Sequence, residues 1–178
     1  MVKVNELLGN KNLIKILYFL IDTEEELSQT KIKNKIKISK ATLIKWLNYL
    51  EKNDFVSVKI EGVSKLYKLN KDNVIMKQFK ILNNIAKISE LDNLKKGNNL
   101  KIYLYGSCAR GEDSKESDID LLIIGNIKRH DIIDEINKLS KKLNKKITIQ
   151  IFNELEWANM EKKDKAFYER VEKDKIGI

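Results

Sequence analysis

Two short apolar runs in the middle of the chain restrict its fold more than any other feature of the sequence. Residues 100–105 and 121–124 have the length and composition of buried strands. Gly106 follows the first run directly, and Asp118 and Asp120 lead into the second. Because residues two apart on a strand project from the same face, both carboxylates are expected on one side of the sheet.

The residues at the end of the first run suit a phosphate ligand. Gly106 allows a tight turn and a close approach of the backbone to a ligand. A helix beginning at Ser107 would direct N–H groups and its positive dipole end at an anion. Asp118 and Asp120 would repel each other unless a cation neutralises them, and Mg²⁺ prefers carboxylate and phosphate oxygens. The segment therefore predicts a site for a nucleoside triphosphate with Mg²⁺.

The same segment carries a family resemblance. It contains Gly106-Ser107-Cys108-Ala109-Arg110-Gly111 and, later, Ser117-Asp118-Ile119-Asp120-Leu121. These words resemble the signature of the minimal nucleotidyltransferases of the DNA polymerase β-like superfamily, small domains that often have a helical toxin partner. The resemblance implies a mixed-sheet α/β domain that moves a nucleotidyl group, expected to be AMP, from a nucleoside triphosphate to a hydroxyl.

The resemblance also assigns roles to individual residues. Gly106, Ser107 and Arg110 would bind the nucleotide. Asp118 and Asp120 would be the catalytic residues and the metal ligands, for two Mg²⁺ ions as in the family or for one here. Binding of two ions would stabilise the attacking and leaving oxygens.

Three neighbouring side chains have structural interpretations. Arg110 is alternatively expected to pack against the loop acids Glu112 and Asp113. Cys108, the single cysteine, is interpreted as a small buried side chain rather than a nucleophile. A single cysteine also excludes a disulfide scaffold and a cysteine-built zinc site. His130 is interpreted as a surface residue.

One expected carboxylate is missing. The superfamily supplies a third acid from a later strand, and here that strand is predicted at 146–152, after a helix over 131–143. Its inward polar positions are Thr148 and Gln150, and Thr148 is the best match for the missing acid. The loss is expected to weaken catalysis more than nucleotide binding. Glu154 or a partner chain are alternative sources of the acid.

The positive charge is concentrated near the N terminus. The net charge is +9, and residues 28–71 alone hold eleven lysines against three acids. A general bias toward lysine explains the lysines but not the shortage of acids. A cationic surface that faces a polyanion explains both, so DNA is the expected partner of this segment.

The basic segment resembles part of a winged helix-turn-helix domain. Apolar spacing predicts helices over 11–21, 27–36 and 39–53, with Ser39 as an N-cap, and alternation over 55–69 predicts a hairpin. In that family the third helix enters the major groove and the hairpin contacts the backbone. The residues expected to face DNA are Lys40, Thr42, Lys45, Asn48, Lys59 and Lys65. Protein binding is the alternative use of such a domain.

The overall expectation is an α+β chain in three parts. Residues 1–70 form the winged helix (three helices plus a β-hairpin), 71–96 a connecting helix, and 97–178 a small mixed-sheet nucleotidyltransferase-like α/β domain. A single amphipathic helix is predicted over 71–94, ended at Gly97; it packs on its own chain or forms a homodimer seam. Trp157 is expected to pack on the sheet, and 175–178 to form a closing strand.

Composition restricts the class of protein. With 42% hydrophobic residues the chain is expected to fold. No apolar run reaches the length of about 20 residues that a membrane span needs, and the first residues lack the layout of a signal peptide, so a cytoplasmic protein is expected. Three functions remain open: a nucleotidyltransferase, a DNA-binding regulator that binds a nucleotide without turnover, and an antitoxin-like partner of a helical toxin.

Overall fold

The computed structural model describes residues 4–96 and 99–178, and the chain divides into two units between Gln78 and Phe79. Both units mix helices with antiparallel strands, so the chain is α+β. No helix within the described ranges is long and apolar enough to span a membrane. The expected helix stop at Gly97 lies outside the described residues.

The first unit consists of short helices and a small sheet. Its elements are α1 (Val4–Leu8), α2 (Lys11–Ile21), β1 (Leu27–Ser28), α3 (Gln29–Ile36), α4 (Lys40–Lys52), β2 (Val56–Glu61) and β3 (Ser64–Leu69). Ser39 caps α4 as predicted, since its hydroxyl accepts a hydrogen bond from the Thr42 N–H at 3.1 Å. Leu43, Leu47 and Leu50 on the apolar face of α4 are buried.

The hairpin lies where the alternating pattern predicted it. Strands β2 and β3 pair in antiparallel register from Val56–Leu69 to Glu61–Ser64, and the turn contains Gly62 with a φ of 59°. Strand β1 adds to β3, with Leu27 opposite Tyr67. Two residues are too few to show an alternating pattern, so this third strand was not predicted, and the start of the helix predicted over 27–36 was wrong because Ser28 caps a helix that begins at Gln29.

The connecting segment corrects one expectation. Helix α5 spans Val74–Ile88 and is followed by a 3₁₀ helix at Ser89–Lys95, so a single α-helix over 71–94 was wrong. Asn73 sets the start, because its side chain accepts hydrogen bonds from the N–H groups of Ile75 and Met76 at 3.0 and 3.2 Å. Where the geometry changes, the Ser89 hydroxyl donates to the carbonyl of Ala86 at 2.9 Å and competes with the helical pattern.

The second unit is built on a four-stranded sheet in the order β6-β5-β4-β7. Its further elements are β4 (Lys101–Tyr105), α6 (Ser107–Arg110), β5 (Ile119–Ile124), α7 (Arg129–Leu143), β6 (Ile147–Phe152), α8 (Glu154–Lys163), α9 (Lys165–Asp174) and β7 (Ile176–Gly177). Strand β5 is antiparallel to β4 and parallel to β6, and β7 is the predicted closing strand, antiparallel to β4.

Each face of this sheet has its own apolar cluster. Leu121 and Ile123 belong to the larger cluster, which includes buried residues of α7. Leu122 and Ile124 alternate to the other face, where Trp157 packs on the sheet as expected. Asp120 has the same alternation as Leu122, so its carboxylate lies at the end of the second face.

Candidate active site

Strand register brings Asp120 and the glycine turn together. Tyr105, the last residue of β4, is opposite Asp120 on β5, and Asp120 is opposite Thr148 on β6. The turn at Gly106 therefore begins beside Asp120. Three strands thus contribute polar groups to one end of the sheet.

Gly106 is fixed by both its conformation and its neighbour. Its φ is 72°, and a Cβ at this position would lie 2.9 Å from Oδ2 of Asp120. The carbonyl of Gly106 accepts hydrogen bonds from the N–H groups of Ala109 and Arg110 at 3.1 and 3.2 Å, which closes α6 directly after the turn. A side chain at residue 106 would displace the carboxylate.

Asp118 is held by two residues of the neighbouring strand region. Lys146 Nζ lies 2.8 Å from Oδ2 of Asp118, and the Thr148 hydroxyl donates to the same oxygen at 3.4 Å. The hydrogen bond to Asp118 raises the pKa of Lys146. The sequence predicted Thr148 near the aspartates but did not single out Lys146.

The two aspartates destabilise each other's charge. Burial raises the pKa of Asp120, and the neighbouring Asp118 raises it further, while Arg170 and Lys146 oppose the shift. Tyr105 also has a raised pKa, from burial and from the charge of Asp120, which Arg170 again opposes. Arg170 on α9 is thus near enough to act on the site, although it lies 50 residues after Asp120 in the chain and no local motif marked it.

The loop between the turn and the acids is anchored by a buried charge that sequence reasoning missed. Asp113 is 4% exposed. Its carboxylate accepts a hydrogen bond from Asn84 at 2.8 Å and lies 3.5 and 3.3 Å from the amines of Lys80 and Lys145. Asn84 also donates to the carbonyl of Cys108 at 3.1 Å. Lys80 and Asn84, two polar residues four apart on the buried side of α5, were the sequence signal that could have indicated a buried polar partner.

Arg110 makes ion pairs at one edge of the site. Its Nε lies 2.8 Å from Glu112 Oε2, and its Nη1 lies 2.6 Å from Asp174 Oδ2 on α9. These hydrogen bonds raise the pKa of Arg110. The expected contact with Glu112 is present, whereas Asp113 is bound by Lys80 instead. A role of Arg110 in nucleotide binding stays a prediction.

Cys108 and His130 have the structural roles expected of them. The Cys108 thiol is buried and lies 3.4 Å from the carbonyl oxygen of Asp118. Burial raises its pKa to about 12, so the thiol stays protonated and is a poor nucleophile at neutral pH. The His130 side chain is 74% exposed and lies 3.1 Å from Asp131.

The other candidates for the missing acid lie elsewhere. Glu154 is 2.9 Å from the amine of Lys101, which begins β4 at the end of the strand remote from Tyr105. Glu154 therefore lies at the opposite end of the sheet from Gly106. Gln150 is exposed on β6, opposite Leu122. Thr148 is the residue of β6 that contacts the aspartate pair.

The basic residues of the first unit differ in their surroundings. Lys40, Lys45 and Asn48 on α4 are exposed, and the amine of Lys45 lies 5.0 Å from the centre of the Trp46 ring. Thr42 is half-buried, and its hydroxyl is 2.8 Å from that of Ser39.

The two hairpin lysines that were expected to face DNA both lie beside acids. Lys59 lies 3.5 Å from Glu26, and Lys65 lies 3.0 Å from Glu51, which raises the pKa of Lys65. The charge available to a polyanion is therefore more fully exposed on α4 than on the hairpin.

Comparison with known proteins decides the family. Residues 82–173, slightly more than half of the chain, match the nucleotidyltransferase domain family. The chain belongs to this family. The matched part of the nucleotidyltransferase domain begins inside α5 and contains the glycine turn, both aspartates, Thr148 and Arg170.

A curated relative and two solved structures have similar segments. A Methanocaldococcus jannaschii protein named "Putative protein adenylyltransferase" is 42% identical over 52 residues, which are 29% of this chain. Those residues are 52% of the relative, so the chain spans about half the length of the curated relative that it matches.

The two structures cover different shares of this chain. The crystal structure of a "putative nucleotidyltransferase" from Sulfolobus solfataricus is 28% identical and covers 58% of this chain and 83% of its own, with a TM-score of 0.32. NolR from Sinorhizobium fredii is 24% identical and covers 46% of this chain and 79% of its own, with a TM-score of 0.39.

Proposed function

We propose that this nucleotidyltransferase moves AMP from a magnesium-bound nucleoside triphosphate to a hydroxyl of an acceptor, and that its first unit is a winged helix that binds DNA. The observation that carries the first part is the contact between Gly106 and Asp120, with Asp118 beside them, in a chain of this family. An acceptor on a protein is consistent with the name of the Methanocaldococcus jannaschii relative.

The donor set of the site suits Mg²⁺ that arrives with phosphates. Among residues 4–96 and 99–178, no group of three or more His, Cys, Asp or Glu residues could hold a metal ion. The protein ligands of a metal ion at this site would therefore be limited to the carboxylates of Asp118 and Asp120. Mg²⁺ is commonly bound by one or two carboxylates together with substrate phosphates. Burial and, after it, the charge of Asp118 raise the pKa of Asp120, and a bound cation would offset both effects. When bound, Mg²⁺ would neutralise charge on the triphosphate.

The residues of the chain then orient the reactants. The glycine turn brings the backbone and the Ser107 hydroxyl to the triphosphate, and Arg170 adds positive charge on the side of α9. The acceptor oxygen forms a bond to the α-phosphorus, the bond to the bridging oxygen of the β-phosphate breaks, and pyrophosphate leaves. The proton of the acceptor passes to solvent.

Transfer of labelled nucleotide tests this function. The protein is incubated with Mg²⁺ and each of the four α-labelled nucleoside triphosphates, with total cellular protein or total tRNA as acceptor. Label is expected from ATP, and the Asp118→Asn/Asp120→Asn variant is expected to lose it. Asp131→Asn/Asp134→Asn, which changes two exposed acids of α7, is the matched control and keeps the label. Label that persists without Asp118 and Asp120 contradicts the proposed site.

Thr148 favours a second candidate, a DNA-binding regulator that senses a nucleotide. Thr148 and Lys146 surround Asp118 where a further carboxylate would otherwise strengthen metal binding. Such a protein would bind Mg²⁺–ATP saturably through Asp118 and Asp120 without releasing pyrophosphate. Pyrophosphate release measured beside nucleotide binding separates the two functions.

The DNA-binding role of the first unit is supported by charge and by its elements. Residues 28–71 carry eleven lysines against three acids, and α4 exposes Lys40, Lys45 and Asn48 on the face away from its buried leucines. Contacts from lysines to phosphates give affinity rather than sequence specificity. The binding is therefore expected to be strongly dependent on salt.

A further inference from the structure

One oxygen of the aspartate pair is already engaged by side chains. Oδ2 of Asp118 lies 2.8 Å from Lys146 Nζ and accepts a hydrogen bond from Thr148 Oγ1 at 3.4 Å. A carboxylate oxygen has two lone pairs, so both of its acceptor positions are used. Asp118 is 35% exposed, and its other oxygen remains the one for a metal ion.

The pairing of β6 with β5 sets the position of the Lys146 backbone. The carbonyl of Lys146 accepts a hydrogen bond from the Ile119 N–H at 2.9 Å, and Ile147 is then in register with Ile119. The backbone of Lys146 is therefore fixed beside Asp118. Its side chain is 74% exposed, so the amine approaches the site from solvent.

The supply of free carboxylate oxygens limits how many divalent ions this site accommodates. Sites with two metal ions hold them about 4 Å apart, and each Mg²⁺ needs oxygen ligands in near-octahedral geometry. Here two carboxylates are present, Lys146 and Thr148 engage one of their four oxygens, and the ammonium group of Lys146 adds a positive charge beside them. Among residues 4–96 and 99–178, no third His, Cys, Asp or Glu joins Asp118 and Asp120 in a group that could hold a metal ion.

We propose that Lys146 is a positioning residue that takes the place of a second metal ion: it holds Asp118, and with Thr148 it limits the site to one divalent ion per bound nucleotide. This inference rests on the proposed function, because it describes the cation content of the same site. Lys146 and Thr148 both act by holding Asp118, and neither touches the reacting atoms.

The ratio of bound metal to bound nucleotide tests the proposal without measuring activity. Equilibrium dialysis with labelled Mn²⁺ and labelled α,β-methylene ATP, which cannot be transferred, gives the excess of each on the protein side. Wild type is expected to bind one Mn²⁺ per nucleotide. The variant Lys146→Met/Thr148→Asp, which removes the amine and adds a carboxylate opposite Asp120, is expected to bind two.

A single substitution keeps the test valid if the double variant does not fold. Lys146→Met is expected to bind Mn²⁺ about two- to fivefold more tightly than wild type, the size expected when an exposed ion pair no longer competes. Lys165→Met is the matched control, because Lys165 is 73% exposed and lies 3.6 Å from Glu169. Its Mn²⁺ affinity should not change.

The outcomes separate this proposal from the function on which it rests. Two Mn²⁺ per nucleotide in wild type, one in a folded double variant, or an unchanged affinity in Lys146→Met would each overturn the role of Lys146 and leave nucleotidyl transfer in place. Absence of any saturable binding of Mn²⁺ and nucleotide to wild type would overturn both.

Discussion

Lys80 and Asp113 form an ion pair that is almost completely removed from solvent. The amine and the carboxylate are 3.5 Å apart, and both side chains are at most 6% exposed. Asn84 and Lys145 complete the shell around the carboxylate. The loop that joins the glycine turn to β5 is thereby fixed to α5 and to the segment that follows α7.

Removal of Lys80 is expected to destabilise the second unit. Lys80→Met leaves a buried carboxylate with fewer compensating charges, and loss of one partner of a buried pair costs about 3 kcal/mol in the free energy of unfolding. Urea denaturation in a Trp46→Phe background measures this, because Trp157 then reports on the second unit. The control is Lys142→Met, which removes an exposed ion pair with Glu90 and should lower the free energy of unfolding by less than about 1 kcal/mol. If Lys80→Met and Lys142→Met lower the free energy of unfolding equally, the buried pair has no special structural role.

Gly106 is expected to tolerate no side chain. Gly106→Ala places a Cβ 2.9 Å from Asp120 Oδ2 at a φ of 72°, so the carboxylate must move. Strain of this kind costs about 1–3 kcal/mol, and nucleotide affinity measured by dialysis should fall roughly tenfold or more. Gly62→Ala has a similar φ of 59° with no atom within 4 Å, and it should leave nucleotide affinity unchanged. A loss of affinity in Gly62→Ala as well would assign the effect to general destabilisation.

The acid pair is expected to make stability depend on pH. The folded-state pKa of Asp120 is raised, so its contribution to stability is fully present below the ordinary aspartate pKa and is lost as pH rises through the folded value. At pH 7 without metal, Asp120→Asn should therefore raise the melting temperature relative to wild type. This increase in melting temperature should become smaller toward pH 4, and thermal unfolding at several pH values measures it. A lower melting temperature of Asp120→Asn at pH 7 would contradict a raised pKa of Asp120 from burial and the charge of Asp118.

Cys108 is expected to be unreactive in the folded protein. With a buried thiol whose pKa is raised to about 12, alkylation by iodoacetamide at pH 8 should proceed at least tenfold more slowly than in the urea-unfolded chain. Mass spectrometry over time measures the modified fraction. Cys108→Ala should retain nucleotidyl transfer. If a folded Cys108→Ala protein loses this activity, the thiol has a chemical role.

DNA affinity is expected to depend on α4 more than on the hairpin. Lys40→Ala/Lys45→Ala removes two exposed amines, whereas Lys59→Ala/Lys65→Ala removes amines already paired with Glu26 and Glu51. Affinity for duplex DNA should fall steeply with salt, and the slope of log K against log salt should decrease by about two for the first variant. Fluorescence anisotropy at several salt concentrations measures this. If neither pair changes the affinity, the first unit does not bind DNA through these faces.

Local pattern was sufficient for most elements of the fold. Helix α2 has the predicted bounds, α4 begins at the predicted cap, and the hairpin and the closing strand are where alternation placed them. These features depend on neighbours within a few residues, and that information is present in any short window of sequence. The tightening to a 3₁₀ helix at Ser89 depends on one side-chain hydrogen bond, which periodicity does not report.

The sequence alone determined that a glycine turn would lie beside Asp120, because strand alternation and the special backbone of Gly106 are local properties. Only the tertiary structure decided which distant side chains surround them. Lys146 reaches Asp118 through parallel pairing of β5 and β6, and the buried carboxylate of Asp113 meets α5 across 33 residues of chain. Such contacts follow from packing and register between separate elements, and no spacing within one segment encodes them.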